Sequence, residues 1–194
     1  MNKIRFLLVG VGGQGTILAS NVLAELGIEL GYDTKKAEVH GMSQRGGSVV
    51  SHVSWAEQVF SPIIPEGEAD ILISFEKLEA MRFADGIRPG ALVLINDYEI
   101  MPVTVSSGGG TYPEVDAVRG VFEPLTDQFF CVKGVEIAEG LGNAKAANVV
   151  LLGALSKLLK HDAAPWLKVI EARVPPKFVE LNRKAFQAGR DAVL

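Results

Sequence analysis

The sequence predicts an α/β fold: three-layer and Rossmann-like, a mainly parallel sheet flanked by helices, in a single domain over residues 1–194. Three observations carry that expectation. A largely apolar run, Ile4 to Val9, breaks into glycines and is followed by a helical pattern. Two further runs, Asp70 to Phe75 and Ala91 to Asn96, are apolar almost throughout rather than alternating, as strands covered on both faces are. A helical stretch, Glu76 to Phe83, lies between them, and a strand, helix, strand order favours parallel pairing.

The remaining elements follow in order. After the opening strand and its glycines, a helix runs from Thr16 to about Leu30. A second strand, Thr34 to Val39, leads into a loop, His40 to Gly47, and a β-type segment follows from Ser48 to Trp55. Arg88, Pro89 and Gly90 read as a turn between the two apolar segments. Pro102 to Ser106 and Phe129 to Val132 read as short strands, with a helix between Pro113 and Phe122. The last third is helical: Asn143 to Lys160 carries a dense apolar face, and Pro176 starts a final helix that Gly189 ends. No repeat, low-complexity tract or linker divides the chain.

Composition narrows the function classes. A chain of 194 residues buries roughly 70% of its unfolded surface and needs no metal or disulfide to fold. A net charge of -4 argues against nucleic acid or an anionic membrane as partner, since both select clustered Lys and Arg. Cys131 is the only cysteine, so the chain has no set of thiolates for a cluster or a zinc, and any redox centre belongs to another chain. No signal-type segment opens the sequence, and the densest apolar helix, Asn148 to Leu159, is too short to span a bilayer, which places the protein in the cytoplasm.

Chemistry concentrates in two loops. Gly10, Gly12, Gly13, Gln14 and Gly15 fit the spacing at which a turn tightens, a backbone approaches a phosphate and a helix packs on its strand. The helix after them would aim free amides and a positive dipole end at an anion. A dinucleotide site would also need an acidic residue at the end of the second strand; Asp33 precedes that strand and Glu38 lies within it. The alternative is a close-packed turn with no ligand. The second loop holds Ser43, Gln44, Arg45, Gly46 and Gly47, an arginine beside two glycines that can close on an anion or carboxylate. Its alternative is a solvated turn. Both loops follow strands and are expected to share one site. His40, His52 and His161 lack metal-ligand spacing, Cys131 reads as an inert buried thiol, and Asp70, Glu76, Asp97 and Glu99 read as caps or surface charges. Binding loops without a catalytic or metal-ligating set suit a subunit.

The segment Gly10 to Gly15, followed by Glu38 to Ser48 with its His-Gly-Met-Ser-Gln-Arg-Gly-Gly run, resembles the gamma-type domain of 2-oxoacid:ferredoxin oxidoreductases, and within them the indolepyruvate branch. Ala146 to Leu155, Val174 to Lys177, Asn182, Ala185 and Phe186 extend the resemblance over nearly the whole chain. The resemblance implies a partner alpha subunit that carries thiamine diphosphate and iron-sulfur clusters, with ferredoxin reached through the complex. It implies that an aryl pyruvate and coenzyme A give an aryl acetyl-CoA, carbon dioxide and reduced ferredoxin. It also makes the two glycine loops candidates for contact with coenzyme A or with the alpha subunit. Two other classes stay open at this stage: a stand-alone nucleotide-binding oxidoreductase using NAD or flavin, and a binding module with no part in a reaction.

Overall fold

The opening run forms β1 (Ile4–Val11), whose side chains from Phe6 to Val11 are buried, and the glycines after it release the chain into α1 (Thr16–Glu29). The computed structural model describes residues 3–40 and 46–193. Next come β2 (Asp33–His40), β3 (Ser48–Ala56), β4 (Ala69–Ser74) and α2 (Lys77–Arg82). They are followed by β5 (Ile87–Asn96), α3 (Val103–Ser106), α4 (Val115–Phe122), β6 (Phe129–Val132) and α5 (Gly134–Gly140). The helical end consists of α6 (Ala147–Leu158), α7 (Ala163–Arg173) and α8 (Val179–Asp191). Among the described residues no helix is long and apolar enough to cross a membrane.

The strands form one six-stranded sheet in the order β2-β3-β1-β4-β5-β6. The expected parallel arrangement holds for β1, β4, β5 and β6, while β3 runs antiparallel to both β1 and β2 and makes the sheet mixed. Helices α1, α5, α6, α7 and α8 cover one face, around Phe6, Leu8, Trp55, Ile71 and Ile73. Trp55 anchors that layer by donating from Nε1 to the Leu23 carbonyl at 3.0 Å. Helices α2 and α4 cover the other face, around Leu7, Val9, Leu72, Val93 and Ile95. The three layers expected from the continuous apolar runs are therefore present.

Three sequence expectations need correction. Arg88, Pro89 and Gly90 lie within β5, not in a turn before it; an irregularity opposite Ala69 and Ile71 absorbs them, with Gly90 at φ 74° and its amide bonded to the Leu125 carbonyl at 2.8 Å. Val103–Ser106 is one helical turn, not a strand, because the Pro102 carbonyl accepts the amides of Val105 and Ser106 at 3.0 Å each. Gly189 does not end the last helix, which runs on to Asp191; it is buried within it, and a Cβ there would strike the Val150 carbonyl. Gly153 stands in the same relation to the Phe186 carbonyl, so α6 and α8 cross backbone to backbone at two glycines.

Candidate functional site

The carboxyl ends of β1, β4 and β5 open on one cleft of about 390 Å³. Its walls include Gly13, Gln14 and Gly15 after β1, Phe75 after β4, Asn96 at the end of β5, and the segment Ala144 to Asn148 that starts α6. A crevice at this edge of an open α/β sheet is where ligands bind in such folds.

The first glycine loop is built rigidly. Gln14 accepts the Val11 amide on Oε1 at 2.8 Å and donates through Nε2 to the Phe75 carbonyl at 2.9 Å, tying the end of β1 to the end of β4. Gln14 thus holds the loop more than it faces a ligand. A Cβ on Gly10 would press on Gln14 Oε1 and Phe75 Cβ, at 2.9 and 3.0 Å, so Gly10 is required for packing. Gly15 caps α1 at φ 84°, and a side chain there would collide with Asn148. Gly13, at φ 106°, has nothing within 4 Å of a Cβ and presents bare backbone to the cleft.

Two helix starts converge here. The start of α1, at Gly15, has no side-chain cap, whereas α6 runs on from a 3-10 turn, Ala144–Ala146, in which Asn143 Oδ1 accepts the Lys145 amide at 3.0 Å. Asn148 Oδ1 accepts the Val149 amide at 2.8 Å, and neither α1 nor α6 has an acidic residue in its first turn. Asn148 joins them, donating from Nδ2 to the Gly15 carbonyl at 3.3 Å. The positive ends of both helices therefore face the cleft uncompensated by acids of their own first turns, with the exposed Lys145 beside them. Glu139 is the acid on the opposite wall. The arrangement suits an anionic group, phosphate above all.

The second loop reaches the first. Gly12 donates its amide to the Gly47 carbonyl at 2.9 Å, and Ser48 donates to Glu79 Oε2 at 2.5 Å, which fixes the end of this loop against both β1 and α2. Gly46 and Gly47 lie within the structure; Ser43, Gln44 and Arg45, the other residues singled out in this loop, lie outside the described residues. Sequence reasoning missed Asn96, Tyr98, Lys145 and Asn148 as cleft walls. The legible signal was an asparagine inside an apolar run, at the end of β5 and at the start of α6.

The other candidates have structural roles. Asp70 accepts the Arg5 amide at 2.8 Å and Arg88 Nε at 2.5 Å. Glu76 caps α2 by accepting the Glu79 amide at 2.8 Å, and burial pushes its pKa up. Asp97 and Glu99 receive the buried Lys77 at 3.2 and 2.6 Å; burial opposes the Lys77 charge, but these partners outweigh it and leave its pKa raised. His52 accepts the Ile64 amide at 3.3 Å, and His161 lies parallel to Trp55. Burial pushes the Cys131 thiol up to about 11, which makes it a poor nucleophile and a poor ligand. Among the described residues no group of three His, Cys, Asp or Glu side chains could hold a metal ion.

The topology bears on the dinucleotide alternative. A dinucleotide-binding unit places its second strand parallel and next to the first, with the ribose carboxylate at its end. Here the neighbour of β1 on that side is antiparallel β3. Glu38 sits a strand further out, bonded to Lys36 at 2.7 Å and Ser20 at 3.3 Å. Among the described residues the ribose-binding geometry is absent.

The pyruvate ferredoxin/flavodoxin oxidoreductase pattern matches residues 5–192. The chain belongs to that family. Among its relatives, indolepyruvate oxidoreductase subunit IorB of Pyrococcus horikoshii is 38% identical over 192 residues, covering 97% of this chain and 95% of the relative. The IorB subunit of Thermococcus kodakarensis is 39% identical over 194 residues, with the same coverage of each chain. The crystal structure of the gamma subunit of a keto/oxoacid ferredoxin oxidoreductase from Geobacter sulfurreducens superimposes with a TM-score of 0.76 at 26% identity, covering 99% of this chain and 97% of that one. The glycine loops, the joining Asn148 and the paired helix starts of this oxidoreductase family member all lie inside the matched span.

Proposed function

We propose that this chain is the small subunit of an indolepyruvate-type 2-oxoacid:ferredoxin oxidoreductase. It supplies the coenzyme A-facing edge of an active site completed by an alpha subunit. The assembled enzyme decarboxylates an aryl pyruvate, passes the acyl group to coenzyme A and the electrons to ferredoxin, in the cytoplasm. The observation that carries this reading is the cleft, where the first glycine loop meets the starts of α1 and α6, with the second glycine loop tied to the first by the Gly12 amide and the Gly47 carbonyl, and with no nucleophile or acid-base pair among the described residues that line it. Phosphates of coenzyme A suit the helix starts and Lys145, and Arg45 adds the fork that a phosphate or a carboxylate of the alpha subunit takes in two-point contact. Thiamine diphosphate and iron-sulfur clusters supply the decarboxylation and electron transfer when bound. The chain's single cysteine, and the absence of a metal-holding cluster among the described residues, support a place for both on the alpha subunit.

The test is expression of this chain alone and together with a cysteine-rich, thiamine-binding alpha chain. The lone chain is expected to fold and to show no turnover of indolepyruvate with coenzyme A and ferredoxin. The pair is expected to co-purify and to turn over. Turnover by the lone chain, or an alpha chain that works at full rate without it, would refute the assignment.

A further inference from the structure

A second cavity of about 480 Å³ lies at the far end of α6, lined by Lys157, Leu158, Lys160, His161, Asp162 and Arg190. The twelve residues of α6 put it roughly 18 Å from the helix start at the glycine cleft. Three cations face one acid there, in a chain of net charge -4. Elsewhere some long basic side chains find carboxylates, Arg88 reaching Asp70, Lys168 reaching Glu29 and Arg183 reaching Glu171, while others such as Lys145 and Lys184 have no ion pair among the described residues. Among the described residues, no ion pair engages Lys157, Lys160 or Arg190.

Lys157 and Lys160 are exposed, and two features distinguish the way the group is arranged. Arg190, half-buried on α8, is pinned by donating from Nη1 to Ser156 Oγ at 2.8 Å and to the His161 carbonyl at 2.9 Å. Its orientation is set before any ligand arrives. Lys160 is the one non-glycine residue with positive φ, 57°, among the described residues. It occupies the left-handed position just past α6, closed by His161 N to Ser156 O and Lys160 N to Lys157 O, each at 2.9 Å. That position favours glycine. The negative end of α6 accounts for a lysine near its last turn, but not for a lysine in a glycine position, nor for a third cation brought from α8. Burial lowers the His161 pKa, so the charge in the cavity comes from the three long side chains.

We infer that this cavity is an oxyanion site, distinct from the glycine cleft, that takes a phosphoryl group through Lys157, Lys160 and Arg190. Calorimetric titration of the full chain with inorganic phosphate, pyrophosphate and adenosine monophosphate, against chloride of equal ionic strength, tests it. Wild type is expected to show a saturable heat that K157Q/K160G loses, with affinity falling about tenfold or more for each lost contact. Asp162→Asn is expected to tighten binding by removing the opposing charge. Lys160→Gly alone is expected to raise the ligand-free melting temperature while shrinking the phosphate-induced rise, opposite changes that a purely structural lysine would not give. Tighter adenosine monophosphate would assign a phosphoryl group carried on a nucleotide, and equal or tighter inorganic anions a free oxyanion. Identical isotherms for wild type and K157Q/K160G, or no heat above the chloride control, would overturn the site.

Discussion

Gly189→Ala is expected to lower the melting temperature by about 6 to 12 °C. A Cβ at Gly189 meets the Val150 backbone carbonyl, and one at Gly153 meets that of Phe186, so no rotamer change can relieve either clash. The two helices must separate. Overpacking of a close-packed core costs about 1 to 3 kcal/mol, and a backbone obstacle places this case near 3, with each kcal/mol worth roughly 2 to 4 °C in a domain of this size. Gly153→Ala is expected to behave alike. Gly120→Ala is the control: Gly120 is exposed in α4 with nothing within 4 Å of a Cβ, so alanine there is expected to raise stability by about 0.5 to 1 kcal/mol. Thermal unfolding of the three variants by circular dichroism measures all of this. Equal shifts for Gly120 and Gly189 would refute the close crossing.

Arg45→Ala in the assembled enzyme is expected to raise the Michaelis constant for coenzyme A by about 10- to 150-fold, the loss of a charge-assisted contact worth about 1.5 to 3 kcal/mol. Folding is expected to be unaffected. Arg45→Lys should recover part of the loss, because an ammonium supplies a charge but not a planar fork. Kinetics and subunit association measured at fixed salt separate the two contacts proposed for this loop. A raised constant with unchanged association assigns Arg45 to coenzyme A, and weakened association with an unchanged constant assigns it to docking. Wild-type values for both would remove any functional role for this arginine.

How far the sequence could be read depended on which force set each element. The β1, loop, α1 unit was legible because its signals are local: an apolar run, glycines where φ must turn positive, and a helical pattern after them. Strand β3 was legible as a strand but not as the antiparallel neighbour of β1, since a strand's side-chain pattern does not record its partner or direction. The turn at Val103–Ser106 was misread because Val-Thr-Val has strand propensity, which the Pro102 carbonyl overrides by taking two amides. Gly189 was misread as a stop signal because its requirement comes from a helix some forty residues away in the chain. The same holds for the site. The glycine loops announce themselves, whereas Asn148 becomes part of the cleft only when α6 is laid against Gly15.

The most direct measurement is amide hydrogen exchange of the assembled two-subunit enzyme with and without coenzyme A. The expected result is slowed exchange on coenzyme A binding at Gly12 to Ile17, at Gly46 to Ser48 and at the start of α6, with the α6 to α8 crossing unchanged. Protection confined to the alpha subunit, with both glycine loops exchanging as before, would contradict the proposal that these loops form the coenzyme A-facing edge.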